Sequence, residues 1–517
     1  MENKGMHHIS SEKFRFVQAE KTLHDVEQKT KSIGYFMDAW IRFRKNGASV
    51  AAAIIILLII LLAIVGPFVS DYEMFDVDGI YTKARPKSEL FAESGFWDGG
   101  FMKKLNNKYL IYFTAMGIGA ADTDGSGKTW EEGIESEFYP IIENGEIYLT
   151  EEVEYRDSRV DSYLMAGFRY IQITKAKFDE IIAWQEEAGI QVVYPMVDVN
   201  SEWCDINNRD DANFWYRHAG NLWPVDENGR QMRELDAIME NGLVDNYLRD
   251  ADGNVMYYQQ KDMQMLSVRV LYYNYFIYLN GHEPVHLLGT DAKGYDILVR
   301  LCYGIRLSLL LSVCVFLINF TIGAIYGAIE GYYGGAADLI MERISDVLNG
   351  IPFVVTATLF QLHLVNTGKV STFVGLLFAF VLTGWIPTAY SVRTQFYRFK
   401  NQEYILAART LGARDMRLMF KHIFPNAIGT IITRSALAIP GVIMTESVLS
   451  YLGIVNFNSR TLSSLGTMLY NGQGYLATDP HILLFPAVII SLLMISFNLF
   501  GNGLRDAFNP SLRGTED

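Results

Sequence analysis

The chain has 517 residues, half of them hydrophobic and a fifth charged, with a mean hydropathy only slightly above zero. That average conceals two unlike parts: nearly charge-free apolar runs of about 20 residues, which is membrane-span length, and a polar, acidic block over 70–284. A wholly soluble enzyme and a wholly buried membrane bundle are both excluded. The formal net charge of −14 is uneven, because 70–284 holds 39 Asp and Glu against 19 Lys and Arg while the rest of the chain holds 19 against 25. Nucleic acid is not an expected partner: the acidic block repels phosphate, and the basic excess is spread along membrane-flanking segments. Three cysteines exclude a disulfide scaffold, and only Cys204 lies in the polar block.

Residues 1–48 form a polar N-terminal segment ending in Arg42, Arg44 and Lys45. The first apolar run, 49–69, begins too far from the N-terminus for a signal peptide and ends in Gly66-Pro67-Phe68, so it reads as a retained span.

The block over 70–284 reads as mixed α/β. Its Asp122–Thr129 stretch contains Gly127-Lys128-Thr129, but Asp122 stands where a phosphate loop needs Gly, so that loop is rejected. Asp122, Asp124 and Ser126 also open like a calcium loop, yet Gly133 occupies the position of the bidentate Glu, and a plain polar turn is the preferred reading. No metal site is assigned, since His7, His8, His282 and His286 lack ligand spacing. Further on, 170–173 reads as a strand, Phe178, Ile181, Ile182 and Gln185 follow at helical spacing, Gly189 offers a C-cap, and 190–194 reads as another strand. Turn signals stand at Asn144-Gly145, Asn228-Gly229 and Asp252-Gly253.

Residues 285–513 carry five further apolar runs, at 307–329, 347–364, 370–390, 427–451 and 481–500, before a short tail at 514–517. Six spans are expected in total, the third being the weakest because Pro352, Gln361 and His363 interrupt it. Residues 1–49 carry nine Lys and Arg and the loop 391–424 carries seven, so positive-inside counting places both termini and that loop in the cytoplasm and 70–284 outside. Within the spans, Arg434 and Glu446 are the charges hardest to place in lipid, and both are candidates for lining a pore or bracing the bundle.

The loop between the fourth and fifth spans, 391–426, is the most informative segment. Glu403–Leu411 favours a helix, Gly412 a break, and Asp415–Phe424 a second helix that stops at Pro425. Leu411, Met416, Leu418, Met419, Phe420, Ile423 and Phe424 give it more apolar surface than a connection needs, a shape suited to docking in a partner's groove.

In its residues this loop resembles the Glu-Ala-Ala coupling loop of importer-type ABC transporter permeases. Glu403, Ala407, Ala408 and Gly412 match, as do His422, Pro425 and Asn426 of the peptide-permease version, with Tyr404 and Ala413 between them. Asp38-Ala39-Trp40, Gly289-Thr290-Asp291, Gly331–Gly335 with Asp338, Arg343 and Asp346, and Leu449–Gly453 resemble the C-type permease of oligopeptide and dipeptide importers. Departures stand at Leu287, Tyr295, Asn502 and Asn509, outside the loop, and the block at 70–284 is far longer than the usual connection.

The resemblance implies an α-helical integral membrane protein with the type I ABC importer permease fold and a large extracellular α/β insertion between its first two spans. It also implies a second permease subunit, two ATPase subunits that bind ATP and Mg²⁺, an extracellular substrate-binding protein, a peptide substrate and surrounding membrane lipid. The chain itself would be a non-catalytic subunit with no cofactor. Nickel chelates or another small solute are the alternative cargo, and a membrane-anchored extracellular sensor is the alternative class.

Overall fold

The computed structural model describes residues 35–88, 90–91, 97–105, 134–135, 141–143, 146–148, 156–196, 248–262, 264–457 and 462–508. Asp122, Asp124, Ser126, Cys204, His7, His8 and the Asn144-Gly145 and Asn228-Gly229 turns lie outside the described residues.

A short basic-ended helix, α1 (Tyr35–Lys45), leads into α2 (Gly47–Val69). Asn46 caps α2 by accepting from the Ser49 amide, so the chain re-enters helix immediately after the basic cluster. Pro67 has no N–H to offer the Ala63 carbonyl four residues earlier. A distant residue supplies the donor: Arg306 Nε binds Ala63 O at 2.6 Å and Nη2 binds Ile64 O at 3.0 Å. That pair ties the end of α2 to the second long helix.

The polar block contains nine short strands and two helices among its described residues. Strands β1 (Gly100–Leu105), β2 (Ile134–Glu135) and β5 (Arg156–Asp161) form one antiparallel sheet in the order β1-β5-β2, and β3 (Ile141–Glu143) pairs β4 (Glu146–Tyr148). The larger unit runs β6 (Phe168–Thr174), α3 (Lys175–Ala188), β7 (Val193–Tyr194), β8 (Tyr258–Gln260), β9 (Met265–Leu271) and α4 (Tyr272–Asn280). Strand β9 lies between β6 and β7, antiparallel to both, which makes β6-α3-β7 a split βαβ unit. Thr174 caps α3 and Gly189, at φ +71°, ends it, so the expected helix and C-cap are found. The expected 170–194 strands are also found, the second shortened to Val193–Tyr194. Phe178 and Ile181 of α3 pack on Val192, Val193, Leu266, Val268 and Val270 to give this unit its own core.

The membrane part resumes with α5 (Ile297–Tyr333), whose 37 residues span about 55 Å against a hydrocarbon thickness of roughly 30 Å. It is followed by α6 (Gly335–Asn349), α7 (Phe353–Phe360), α8 (Thr372–Gly384), α9 (Ile386–Phe399), α10 (Glu403–Thr410), α11 (Asp415–Arg417), α12 (Phe424–Ala436), α13 (Ala438–Tyr451), α14 (Leu465–Gly472) and α15 (His481–Phe508). Among the described residues four helical segments are long and apolar enough to cross a membrane: α2, α5, the α8–α9 run and α15. A fifth crossing results if the bent pair α6 and Phe353–Val365 counts as one.

The six-span expectation is therefore met only in part, and proline explains where. The run expected at 347–364 straddles a 71° bend between α6 and α7. Pro352 caps α7 and disfavours helical backbone at Ile351. The run expected at 427–451 is divided at Leu437 into α12 and α13, each shorter than a span, because Pro440 cannot donate to the Ala436 carbonyl. Arg434 and Glu446 thus sit on different helices.

Candidate functional site

Two places on α5 gather chemistry, one at each end. At the Tyr333 end lies the loop 400–426. Helix α10 starts at Glu403 as the spacing predicts, and Gly412, at φ +85°, makes the turn that a side chain would strain. The second arm departs from the sequence reading. It does not stop at Pro425: α11 passes through a π turn at Leu418–Ile423 into α12, where Pro425 sits in the first turn and needs no N–H partner.

The loop has two faces. Ile405, Leu418, Met419 and Ile423 are buried against Ala324, Ala328, Tyr332, Val392 and Phe396, so the hairpin is bolted to α5 and α9 by an apolar core. Glu403, Tyr404, Leu406, Ala407 and Gly412 point away and are exposed, Ala408 and Ala413 are half-buried, and Leu411 at the tip is 87% exposed. Asn426 closes the hairpin base by donating to the His422 carbonyl at 2.8 Å and to the Tyr404 hydroxyl at 3.3 Å. The structure thus brings together every residue singled out in the loop, with Pro425 and Asn426 on its exposed side.

Beside the hairpin is a charge hub that the sequence reading did not identify. The Arg393 guanidinium binds both oxygens of Asp338 at 2.6 and 2.9 Å, reaches Glu342 at 3.1 Å and lies 3.4 Å from Glu330. Tyr397 donates to Asp338 at 2.5 Å and Lys400 donates to the Gly331 carbonyl at 2.9 Å. Three helices, α5, α6 and α9, meet on one bidentate arginine. Asp338 and Glu342 at i and i+4 beside an apolar run were the available signal.

Glu446 is 1% exposed, and its carboxylate accepts from Ser308 on α5 at 3.2 Å and from Ser450 on its own helix at 2.9 Å. It joins α13 to α5 within this chain. Arg434 has its backbone on α12, and its side chain lies outside the described residues.

At the other end of α5 is the base of the polar block. Asp296 caps α5 through the Val299 amide at 2.8 Å and holds His286 Nδ1 at 2.8 Å. The Tyr72 ring stacks on His286 at 3.9 Å, and burial, then the Asp296 charge, raises its phenol well above the usual range. The entry and exit segments of the block are laced together by backbone bonds from Asp78 to Gly294, Lys83 to Asp291, Thr290 to Ala84 and Lys87 to His286. Gly294, at φ +87°, lies so close to Asp78 that an added Cβ would stand 1.9 Å from its carbonyl oxygen. Lys87 pairs with Asp161 at 3.1 Å in a buried site, and Arg85 reaches Asp479 at 3.3 Å and the Thr478 carbonyl at 2.6 Å before α15. Among the described residues no group of three His, Cys, Asp or Glu side chains could hold a metal ion.

Residues 307–514 match the family described as binding-protein-dependent transport system inner membrane component, and residues 34–86 match the N-terminal TM domain of oligopeptide transport permease C. The second match includes 70–86, the entry segment of the base. The chain is 42% identical over 238 residues to the oligopeptide transport system permease protein OppC of Bacillus subtilis, covering 46% of this chain and 76% of that one. It is 41% identical over 229 residues to the dipeptide transport system permease protein DppC of the same organism, covering 44% and 69%. Against OppC of Escherichia coli the identity is 37% over 236 residues, covering 45% and 74%. Among solved structures, an inward-facing MetNI methionine ABC transporter chain aligns at 18% identity over 40% of this chain and 96% of that one, with a TM-score of 0.33. The family models and the OppC and DppC relatives show that the chain belongs to the binding-protein-dependent ABC transport permeases, in the oligopeptide and dipeptide C-type branch.

Proposed function

We propose that this chain is the permease subunit that forms half of the translocation pathway of an ATP-driven oligopeptide or dipeptide importer, the other half coming from a second permease. The relatives named for those cargoes support the peptide reading over nickel or another solute. The observation that carries the coupling role is the hairpin at 403–426: a buried apolar face fixes it to α5 and α9, while Leu411 and its small neighbours Ala407 and Gly412 face outward. An ATPase groove closing on that tip would move the helices with it. Two ATPase subunits, binding ATP and Mg²⁺ on the cytoplasmic side, are the partners this geometry suits. Glu446 is a brace between α5 and α13 in this reading.

The polar block then lies outside the membrane, at the end of α5 opposite the hairpin, in reach of a substrate-binding protein. Its laced base favours a fixed docking platform over a swinging gate. Uptake of a labelled short peptide by cells carrying the chain, lacking it, or carrying Glu403→Lys tests the main reading. Loss in the last two is the expected result. Unchanged uptake in all three, in cells with no second peptide system, discards peptide as cargo. For the platform, a chain that keeps both base segments but replaces 101–282 by a short linker should assemble with its ATPases and lose capture of the binding protein; retained capture rejects the platform.

A further inference from the structure

Besides the apolar core, a hydroxyl ties the hairpin to α5. Tyr332, one residue before the end of α5, donates to Asp415 Oδ1 at 2.6 Å and accepts from Arg409 Nη2 at 3.2 Å. Arg409 is in the last turn of α10 and Asp415 is the first residue of α11, so the two partners stand on opposite arms of the turn at Gly412. The ring itself is buried with Ile405, Leu418, Val392 and Phe396, which holds the hydroxyl in place between a cation and an anion. A phenol suits that position because it accepts from the first and donates to the second at once.

The same end of α5 has no slack toward its other neighbours. Gly331 offers its carbonyl to Lys400, and a Cβ there would stand 2.7 Å from that of Phe396. Glu330 faces Arg393, which carries Asp338 and Glu342 of α6. Movement of either arm of the hairpin therefore reaches α5 at Tyr332 and is passed on to α6 and α9.

We infer that Tyr332 is a positioning residue of the transport cycle, the pin that makes α5 follow the hairpin when the ATPases close on it. Without the hydroxyl only the apolar core joins the arms to α5, and part of each ATPase stroke is spent inside the loop. The inference rests on the reading of 403–426 as the ATPase-coupling loop.

The test uses the complete transporter, both permeases, both ATPases and the binding protein, in vesicles, with ATP hydrolysis and peptide uptake measured on one preparation. Tyr332→Phe should lower peptide taken up per ATP hydrolysed by roughly fivefold or more, while the ATPases still co-purify and hydrolysis persists. A merely structural role lowers both activities together and leaves their ratio unchanged, and that result overturns the inference. If Tyr332→Phe does not assemble, Asp415→Ala, which removes the acceptor of the Tyr332 hydroxyl, is read by the same ratio, with the same fall expected and an unchanged ratio overturning the inference. Gly412→Trp serves as the separate control. Normal ATPase co-purification with that variant sinks the coupling reading itself, whereas its loss beside an unchanged Tyr332→Phe ratio sinks only the role of Tyr332.

Discussion

The two ends of α5 are held by different means. At the Ile297 end the segments 78–87 and 286–294 are joined by backbone hydrogen bonds, around a glycine that admits no side chain. At the Tyr333 end the ties are side chains: one guanidinium on three carboxylates, one phenol between Arg409 and Asp415, and one lysine on a carbonyl. Backbone lacing has one arrangement, because shifting it by a residue breaks every bond at once. A side-chain network can exchange partners between discrete states, as a segment that answers to a moving partner must. This contrast supports the proposal of a fixed role for the base and a moving role for the hairpin.

The sharpest way to break this contrast is at the base. Gly294→Ala places a methyl group where the Asp78 carbonyl already stands, at a backbone angle of φ +87° that alanine resists. We expect a loss of about 3 kcal/mol or more, seen as a large fall in thermal midpoint or in folded yield from membranes. Gly412→Ala shares the positive φ but has nothing within 4 Å of the new methyl, so its effect on stability should be near 1 kcal/mol. Equal losses from the two substitutions would contradict the claim that close approach sets the base apart from the turn at Gly412.

A smaller effect is expected inside the bundle. Glu446→Ala removes the acceptor of Ser308 and Ser450 in a buried site and should destabilise by about 2 kcal/mol. Glu446→Gln keeps an acceptor for one of them and should lose less, with uptake per ATP unchanged. A large change in cargo preference with the Gln variant would move Glu446 from brace to pore.

What could be read from the sequence follows from how far apart the partners lie. Helix α10, the turn at Gly412 and the β6-α3-Gly189 unit depend on caps, periodicity and glycine within a few positions, and they were legible. Pro352, Pro425 and Pro440 were visible too, but a proline states only that a donor is missing. Whether the helix stops, bends or continues depends on what surrounds it, and these three give a 71° bend, a π turn entering a new helix, and a break. The base depends on bonds such as Thr290 to Tyr81, 209 positions apart, and the hub on Arg393 finding Asp338, 55 positions away. No local pattern announces such pairs. The loop's likeness to a known family was legible because its matching residues fall within the 24 positions from Glu403 to Asn426; Tyr332 stood in a recognised stretch, but its partners are 77 and 83 positions distant.

The smallest effect on the fold should come from the hairpin tip. Leu411 is 87% exposed, while its loop neighbours Ile405 and Leu418 are completely buried. An exposed leucine contributes little to the stability of the chain that bears it, so Leu411→Asp should change the thermal midpoint by an amount equivalent to less than about 0.5 kcal/mol. An apolar side chain at the centre of a docking face behaves differently: burying it in a partner's groove removes its surface from water, and an aspartate there must be desolvated without a counter-charge. We expect ATPase co-purification with Leu411→Asp to fall by roughly tenfold or more, with uptake falling alongside. Ile405→Asp should reverse the order, destroying the mount and losing folded chain before any question of docking arises. If Leu411→Asp unfolds the permease as Ile405→Asp does, the outward face is part of the core and the two-faced hairpin is wrong. If it changes neither folding nor docking, the groove lies elsewhere on the loop.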